Sequence, residues 1–192
     1  MRISTILILA IVLLGVVGSS SGIYYFYTQS ESVIEESIIS HLESVAESEK
    51  VFINKFLEEQ KDKLRIAATQ GELSSEQLVK VRDSNIEFYE VFVLDSMGVI
   101  RQSSAESKLG QDKSTDAYFV NGRYETYIKP AYFSESTQRH AIAIATPFND
   151  GVLVARIELE AFNDLVSSRS GLGETGESLL AYRDKNNEPV FF

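Results

Sequence analysis

The sequence contains no cysteine. That excludes a disulfide scaffold, a cysteine-based zinc site, a thiol nucleophile and a lipid anchor on an amino-terminal cysteine, while leaving the compartment open, because oxidising compartments do not demand disulfides. Proline is scarce, at 3 residues, and glycine modest, at 11. Together with 10% aromatic residues and a mean hydropathy near zero, this excludes a disordered tail, a collagen-like repeat and a polytopic membrane protein. Positive charge is also short: 18 Lys and Arg stand against 28 Asp and Glu, for a formal net charge of -10. Without a clustered Lys/Arg surface there is no basis for a nucleic-acid partner. Histidine occurs only as His41 and His140, and the H-E-x-x-H, P-loop and EF-hand spacings are missing. No metal, no cofactor and no enzymatic activity is expected. Carboxylates are abundant, but an acidic surface supplies them by default, so pairing any two as an acid/base couple would be arbitrary.

What is present begins with an uncharged run from Ile3 to Ser30. As a helix, Ile3 to Tyr27 would measure about 37 Å at ~1.5 Å per residue, against a hydrocarbon core of ~30 Å. Residues 3–27 are therefore expected to be a single-pass membrane anchor within an anchor region 1–30. Tyr24, Tyr25 and Tyr27 fit an interfacial aromatic belt, and Arg2 with the free amine places the amino terminus in the cytoplasm and the rest outside the cell membrane. A cleaved signal peptide, with Ile6 to Val17 as its apolar stretch and Gly18 to Ser21 as its cleavage region, is the competing reading. Resumption of apolar and aromatic residues after the serines favours the anchor. The match of Gly18-Ser19-Ser20-Ser21-Gly22 to the G-x-S-x-G elbow lacks the strand-turn-helix context that exposes such a serine.

From Glu31 the apolar positions Ile34, Ile38, Leu42, Val45, Phe52 and Phe56 recur every three or four residues, with neither Pro nor Gly before Gly71. The spacing predicts one long amphipathic helix over 31–70, able to pack on its own domain or to form a homodimer as a coiled coil. His41 lies beside the stripe without a second ligand at i+4. Ser74-Ser75-Glu76-Gln77 is a capping box opening a short helix to about Arg82. The period then changes to two. Phe88 to Leu94, a turn at Asp95 to Gly98, and Val99 to Ser103 form a hairpin. Further strands are expected at Thr126 to Phe133, Ala141 to Thr146 and Val152 to Leu159, joined by polar turns. The fold class is α+β: the long helix plus a PAS-like five-stranded antiparallel sheet, with a loop and short helix from Ser104 to Arg123. A short helix over Glu160 to Ser167 follows. Gly171 to Gly176 matches G-x-G-x-x-G, but a helix precedes it and a strand follows, the reverse of a dinucleotide site. It reads instead as a linker into a hairpin of Ser178 to Tyr182 and Pro189 to Phe192.

The stretches VFVLDSMGVIRQSS, LGQDKSTDAYF, TYIKPAYFSES, AIAIATPF, GVLVARIEL and GLGETGESLL, in this order, resemble the extracellular Cache sensor domains of bacterial and archaeal chemoreceptors, sensor histidine kinases and cyclic-dinucleotide enzymes. They cover roughly Glu87 to Tyr182. The resemblance implies a membrane-distal sensor module over 71–168 and the start of a second module over 169–192, as in double Cache sensors. It implies reception of an extracytoplasmic small molecule, passed by helices to a cytoplasmic output domain that is not within this sequence. Apolar Val190, Phe191 and Phe192 suggest a chain cut through a fold.

Between Asp112 and Ser134 polar and aromatic residues gather: Asp116, Tyr118, Phe119, Tyr124, Tyr127, Lys129 and Tyr132. Tyrosines supply both the apolar wall and the polar groups that small-ligand pockets need, although each one singly is as well explained as plain core. In Cache sensors the pocket lies between the sheet and this loop-helix region. The expected ligand-binding residues are Asp116, Tyr118, Tyr127, Lys129, Tyr132 and Arg156. In the amino-acid-binding Cache group an arginine stands where Asp116 is, a tryptophan where Tyr118 is, and an aspartate where Arg156 is. The reversed charges put simple α-amino-acid recognition in doubt. Arg156 should point away from Leu153, Ala155 and Ile157 and, being desolvated, should be paired, with Asp116 the candidate partner. The pair either closes on itself or opens to hold a polar ligand, most simply a carboxylate on Arg156, and the open form is favoured because Lys129 and the tyrosines leave polar groups that a closed pair would not satisfy. A pilin-like subunit lacks its processing site here, since no acidic residue interrupts Ile3 to Ser30. A free exported binding protein would follow from signal cleavage.

Overall fold

The computed structural model describes residues 2–135, 138–167, 181–183 and 188–191. Two compact units divide at residue 48. Helix α1, Arg2–Ala68, is shared between them, and its backbone is unbroken. In the first unit, Ile34, Ile38 and Leu42 of the expected stripe are solvent-exposed. Among the described residues no helix is long and apolar enough to cross a membrane. The anchor expected over 3–27 is thus not shown, and the side chains of residues 1–12 lie outside the description.

In the second unit, α1 contributes Phe56, Leu64 and Ala67 to a buried core. Helix α2, Ser75–Asp83, opens with the expected capping box: Gln77 N–H donates to Ser74 Oγ, and the Gln77 side chain accepts from the Ser74 N–H. Strands β1 (Phe88–Leu94) and β2 (Ile100–Ser103) form the first hairpin. Asp95 holds its turn by accepting from the Met97 and Val99 amides and from Arg101 Nε. A 3₁₀ turn at Glu106–Lys108 and the six-residue helix α3, Ala117–Gly122, fill the connection to β3 (Tyr127–Ser134). Strand β4 (Arg139–Phe148) turns through Asn149, at φ 52°, and Asp150 into β5 (Gly151–Glu158), a two-residue hairpin suited to residues that tolerate positive φ. Helix α4, Leu159–Ser167, follows.

The strands form one antiparallel sheet in the order β2-β1-β5-β4-β3. β1 and β2, β3 and β4, and β4 and β5 pair as hairpins, whereas β2 and β3 form the two edges, and β5 returns beside β1 to join the sheet through its centre. Gly151 is required there, because a Cβ would fall on the Leu94 carbonyl oxygen. Both faces are covered. On one, Val91, Ile142, Ile144, Leu153, Ala155 and Ile157 pack with Phe56, Leu64, Leu78 and Phe162 of the surrounding helices. On the other, Phe92, Leu94, Ala143, Ala145, Val152 and Val154 pack with Tyr118 and Phe119 of α3. Strands β6, Ala181–Arg183, and β7, Pro189–Phe191, form the separate hairpin expected at the carboxyl end. Its Ser178 to Leu180 portion and the glycine linker before it lie outside the described residues.

Candidate functional site beneath helix α3

Two breaks in the period-two pattern decide what lies on the α3 side of the sheet. Along β1 the register steps from Phe88 opposite Ile157 to Glu90 opposite Arg156, two residues against one. Such a bulge re-aims the side chains around it. Phe88 consequently packs in the helix-side core, whereas Glu90 meets Arg156. Along β3 the register steps from Lys129 opposite Ala143 to Tyr132 opposite Ala141, three residues against two. Pro130 lies in this interval, where the ladder has no need of its missing N–H. The extra residue brings Lys129 and Tyr132 to the same face despite their odd spacing, and the Lys129 ammonium lies 3.6 Å from the centre of the Tyr132 ring.

Arg156 sits on β5, between β1 and β4, with Val152 and Val154 as its same-face neighbours, as the alternation predicts. Its Nη1 donates to Glu90 Oε2 at 2.8 Å, and its Nη2 to the Tyr118 hydroxyl at 3.3 Å. The guanidinium also lies 5.0 Å from the Phe92 ring centre. The side chains of this pair are 4% and 3% exposed. Lys129 Nζ donates to Asp116 Oδ1 at 2.6 Å, and this second pair is shallower, with side chains 19% and 22% exposed. Asp116 is the residue that starts α3, yet its side chain makes no capping hydrogen bond. Tyr118 lies between the two pairs: its hydroxyl accepts from Arg156 Nη2, and the Lys129 ammonium is 5.2 Å from its ring centre. Burial pushes the Tyr118 and Tyr132 phenols well above the ordinary tyrosine range, so both remain protonated donors at any physiological pH. Burial works against the Arg156 charge, but its phenol and Glu90 neighbours outweigh it and the guanidinium stays ionised.

Five of the six predicted site residues are therefore brought together: Asp116, Tyr118, Lys129, Tyr132 and Arg156. Tyr127 stands opposite Ala145, half-buried, and among the described residues makes no hydrogen bond or ring contact with them. Tyr124 is exposed, beneath the Arg123 guanidinium. The expected Arg156 to Asp116 pair does not form. Glu90 takes Arg156 because β1 is its hydrogen-bonded neighbour, and Lys129 takes Asp116. Glu90 is the residue the sequence reading missed. Its signal was there, as the single charge in FYEVFVL, but the bulge that turns it inward is not visible in the pattern. Two polar atoms of the cluster, Glu90 Oε1 and the Tyr132 hydroxyl, are buried without a hydrogen-bond partner among the described residues.

No family model and no curated protein matches the chain. Solved structures do. The sensory domain of the Campylobacter jejuni chemoreceptor Tlp3 matches with a TM-score of 0.61 at 16% identity, over 83% of this chain and 73% of that one. The same domain with isoleucine bound gives 0.59 at 16% identity, over 82% and 71%. The ligand-binding domain of the Pseudomonas aeruginosa amino-acid chemoreceptor PctC, in complex with GABA, gives 0.50 at 19% identity, over 60% and 61%. The site of buried charges and tyrosines thus lies in a domain with the Cache-type fold of chemoreceptor ligand-binding sensory domains.

Proposed function

We propose that residues 71–168 form the extracytoplasmic, non-enzymatic sensing module of a transmembrane signal-transduction receptor, a chemoreceptor or sensor kinase, and that Asp116, Tyr118, Tyr127, Lys129, Tyr132 and Arg156 surround its small-molecule ligand. Residues 1–30 then serve as the single-pass anchor, 31–70 as the connecting helix, and 169–192 as the start of a second module. The Ser19 and Ser20 hydroxyls support the anchor, because each donates to a carbonyl one turn back, Gly15 and Val16, and so needs no water. The exposed stripe of Ile34, Ile38 and Leu42 supports pairing with a second copy.

One observation carries the ligand-binding reading. A sheet face that could have been closed with apolar residues instead buries Glu90, Arg156 and the Tyr118 hydroxyl, and leaves Glu90 Oε1 and the Tyr132 hydroxyl without hydrogen-bond partners among the described residues. Replacing such groups by hydrophobic ones of similar volume is often neutral or stabilising, so retaining them speaks for use. Convergent polar groups in an apolar wall are the chemistry of a small-ligand site. Isoleucine and GABA, bound by the Tlp3 and PctC domains, each carry an ammonium and a carboxylate, and this cluster offers charges of both signs. A carboxylate would be received by Arg156. The test is a thermal-shift screen of small carboxylates and amines on the full chain. A saturable rise in melting temperature that is lost in Arg156→Lys and in Asp116→Asn is expected. A rise that survives both substitutions would place the ligand elsewhere and refute the site.

A further inference from the structure

The two ion pairs of the cluster differ in depth and in the strand that carries them. Arg156 is carried by a strand with neighbours on both sides and is closed in by Glu90, Tyr118 and Phe92. Lys129 is carried by β3, the edge of the sheet, one residue before the Pro130 bulge. Its four-carbon stem is flexible, and its ammonium is partly open to solvent.

What surrounds that ammonium is a cation receptor in miniature. Asp116 Oδ1 lies at 2.6 Å, the face of Tyr132 at 3.6 Å and the face of Tyr118 at 5.2 Å. A carboxylate combined with aromatic faces is how proteins recognise organic ammonium ions, because the ring quadrupole attracts the cation and the carboxylate neutralises it. With Lys129 in place the charges cancel pairwise, Glu90 with Arg156 and Asp116 with Lys129. When Lys129 swings out to solvent, Asp116 and the two tyrosine faces are left with an excess negative charge. The vacated space then suits a cation. The Tyr132 hydroxyl, buried without a partner, offers such a ligand one further hydrogen bond.

Resting on the sensor reading above, we infer that Lys129 is an internal stand-in for the ligand, and that the ligand class of this site is a small organic ammonium ion that displaces the Lys129 side chain from Asp116, Tyr118 and Tyr132. Displacement makes the site self-competing. Its apparent affinity is the intrinsic affinity reduced by the fraction of time that Lys129 is out.

The experiment is calorimetric titration of the full chain, held in detergent, with ethylammonium chloride and tetramethylammonium chloride, against sodium chloride of equal ionic strength and against sodium acetate. Saturable binding of at least one ammonium salt to the wild type is expected. Lys129→Met, which keeps the stem and removes the competitor, should bind it roughly fivefold tighter or more, given what a partly exposed ion pair contributes. Asp116→Asn in that background should abolish binding. Should Lys129→Met fail to fold, Tyr132 provides the second arm: Tyr132→Phe, which gives up only the hydroxyl's further hydrogen bond, should keep most of the affinity for tetramethylammonium, which cannot use that bond, and Tyr132→Leu should lose about tenfold, because the ring face is what holds the cation. Ammonium binding to Lys129→Met but not to the wild type would show a fixed structural pair and overturn the inference. Saturable acetate binding lost in Arg156→Lys, with no ammonium response, would overturn it too while leaving the sensor reading standing.

Discussion

Removing Glu90 should be among the most damaging single substitutions in this protein. Glu90→Ala leaves the Arg156 guanidinium, 4% exposed, without the carboxylate now 2.8 Å from Nη1. Breaking a buried pair by deleting one partner costs about 3–5 kcal/mol, against a total of roughly 5–15 kcal/mol for a typical domain. Glu90→Gln keeps an acceptor for Nη1 but removes its charge, and the difference between charge-assisted and neutral hydrogen bonds sets its cost at about 1–2 kcal/mol. The double change Glu90→Leu with Arg156→Met removes both charges and should fall within ~2 kcal/mol of the wild type. These numbers require a coupling energy of about 2 kcal/mol or more between the two sites. Urea unfolding followed by far-UV circular dichroism, in 0.15 M and in 1 M sodium chloride, measures it. The coupling should survive high salt, because a pair this deep is little screened. A loss below ~1 kcal/mol for Glu90→Ala, or a coupling that vanishes in salt, would mean that Arg156 reaches water and that the buried cluster is misplaced.

Three further outcomes can be checked. The hydrogen bonds from Val99, Arg101 and Met97 outweigh burial and hold Asp95 below 3.8; its contribution is then complete above the unfolded carboxylate value and disappears as pH falls through the lower folded one. Asp95→Asn should therefore destabilise at pH 7 by about 1 kcal/mol and by much less near pH 2, and an equal penalty at both would refute the turn assignment. Gly151→Ala drives a methyl onto the Leu94 carbonyl and should cost about 2–3 kcal/mol, whereas a neutral result would contradict the β1 to β5 pairing. In intact cells the chain from Glu31 onward should be cut by added protease, and protection of that region would overturn the proposed topology.

Much of the fold could be read from local chemistry. The Ser74 to Gln77 capping box, the aspartate-led turn at Asp95 and the Asn149-Asp150 hairpin are set by residues a few positions apart, and each appears where those residues predict it. The alternation in β5 also sent Arg156 to the correct face. What was not legible depends on distant partners. The return of β5 beside β1 joins residues far apart in the chain, from Phe88 with Ile157 to Leu94 with Val152, and leaves no mark in either strand alone. The pairing of charges followed from that return, so Asp116 was matched to Arg156 instead of Lys129 and Glu90 was overlooked. Strand β4 runs two residues further at each end than the expected Ala141 to Thr146, because Arg139 pairs with Ser134, and Phe148 pairs with Gly151 and is buried in the helix-side core beyond Pro147.

The bulges in β1 and β3 bear on how such a site changes over evolutionary time. Side-chain direction in a strand is a matter of counting, and each bulge is one residue of miscount. Losing the extra residue, Tyr89 in β1 or one of Pro130 and Ala131 in β3, restores regular pairing and leaves Glu90 opposite Arg156 and Lys129 on the Tyr132 face. The site then keeps its polar inventory and loses only the local bend and twist that the bulge imposes. An insertion or deletion elsewhere in either strand has no such slack and exchanges the side chains of one face for those of the other. Among related sensors of this fold, length changes at the two bulges should therefore alter how closely the groups of the site approach one another, whereas length changes away from them should alter which groups the site presents.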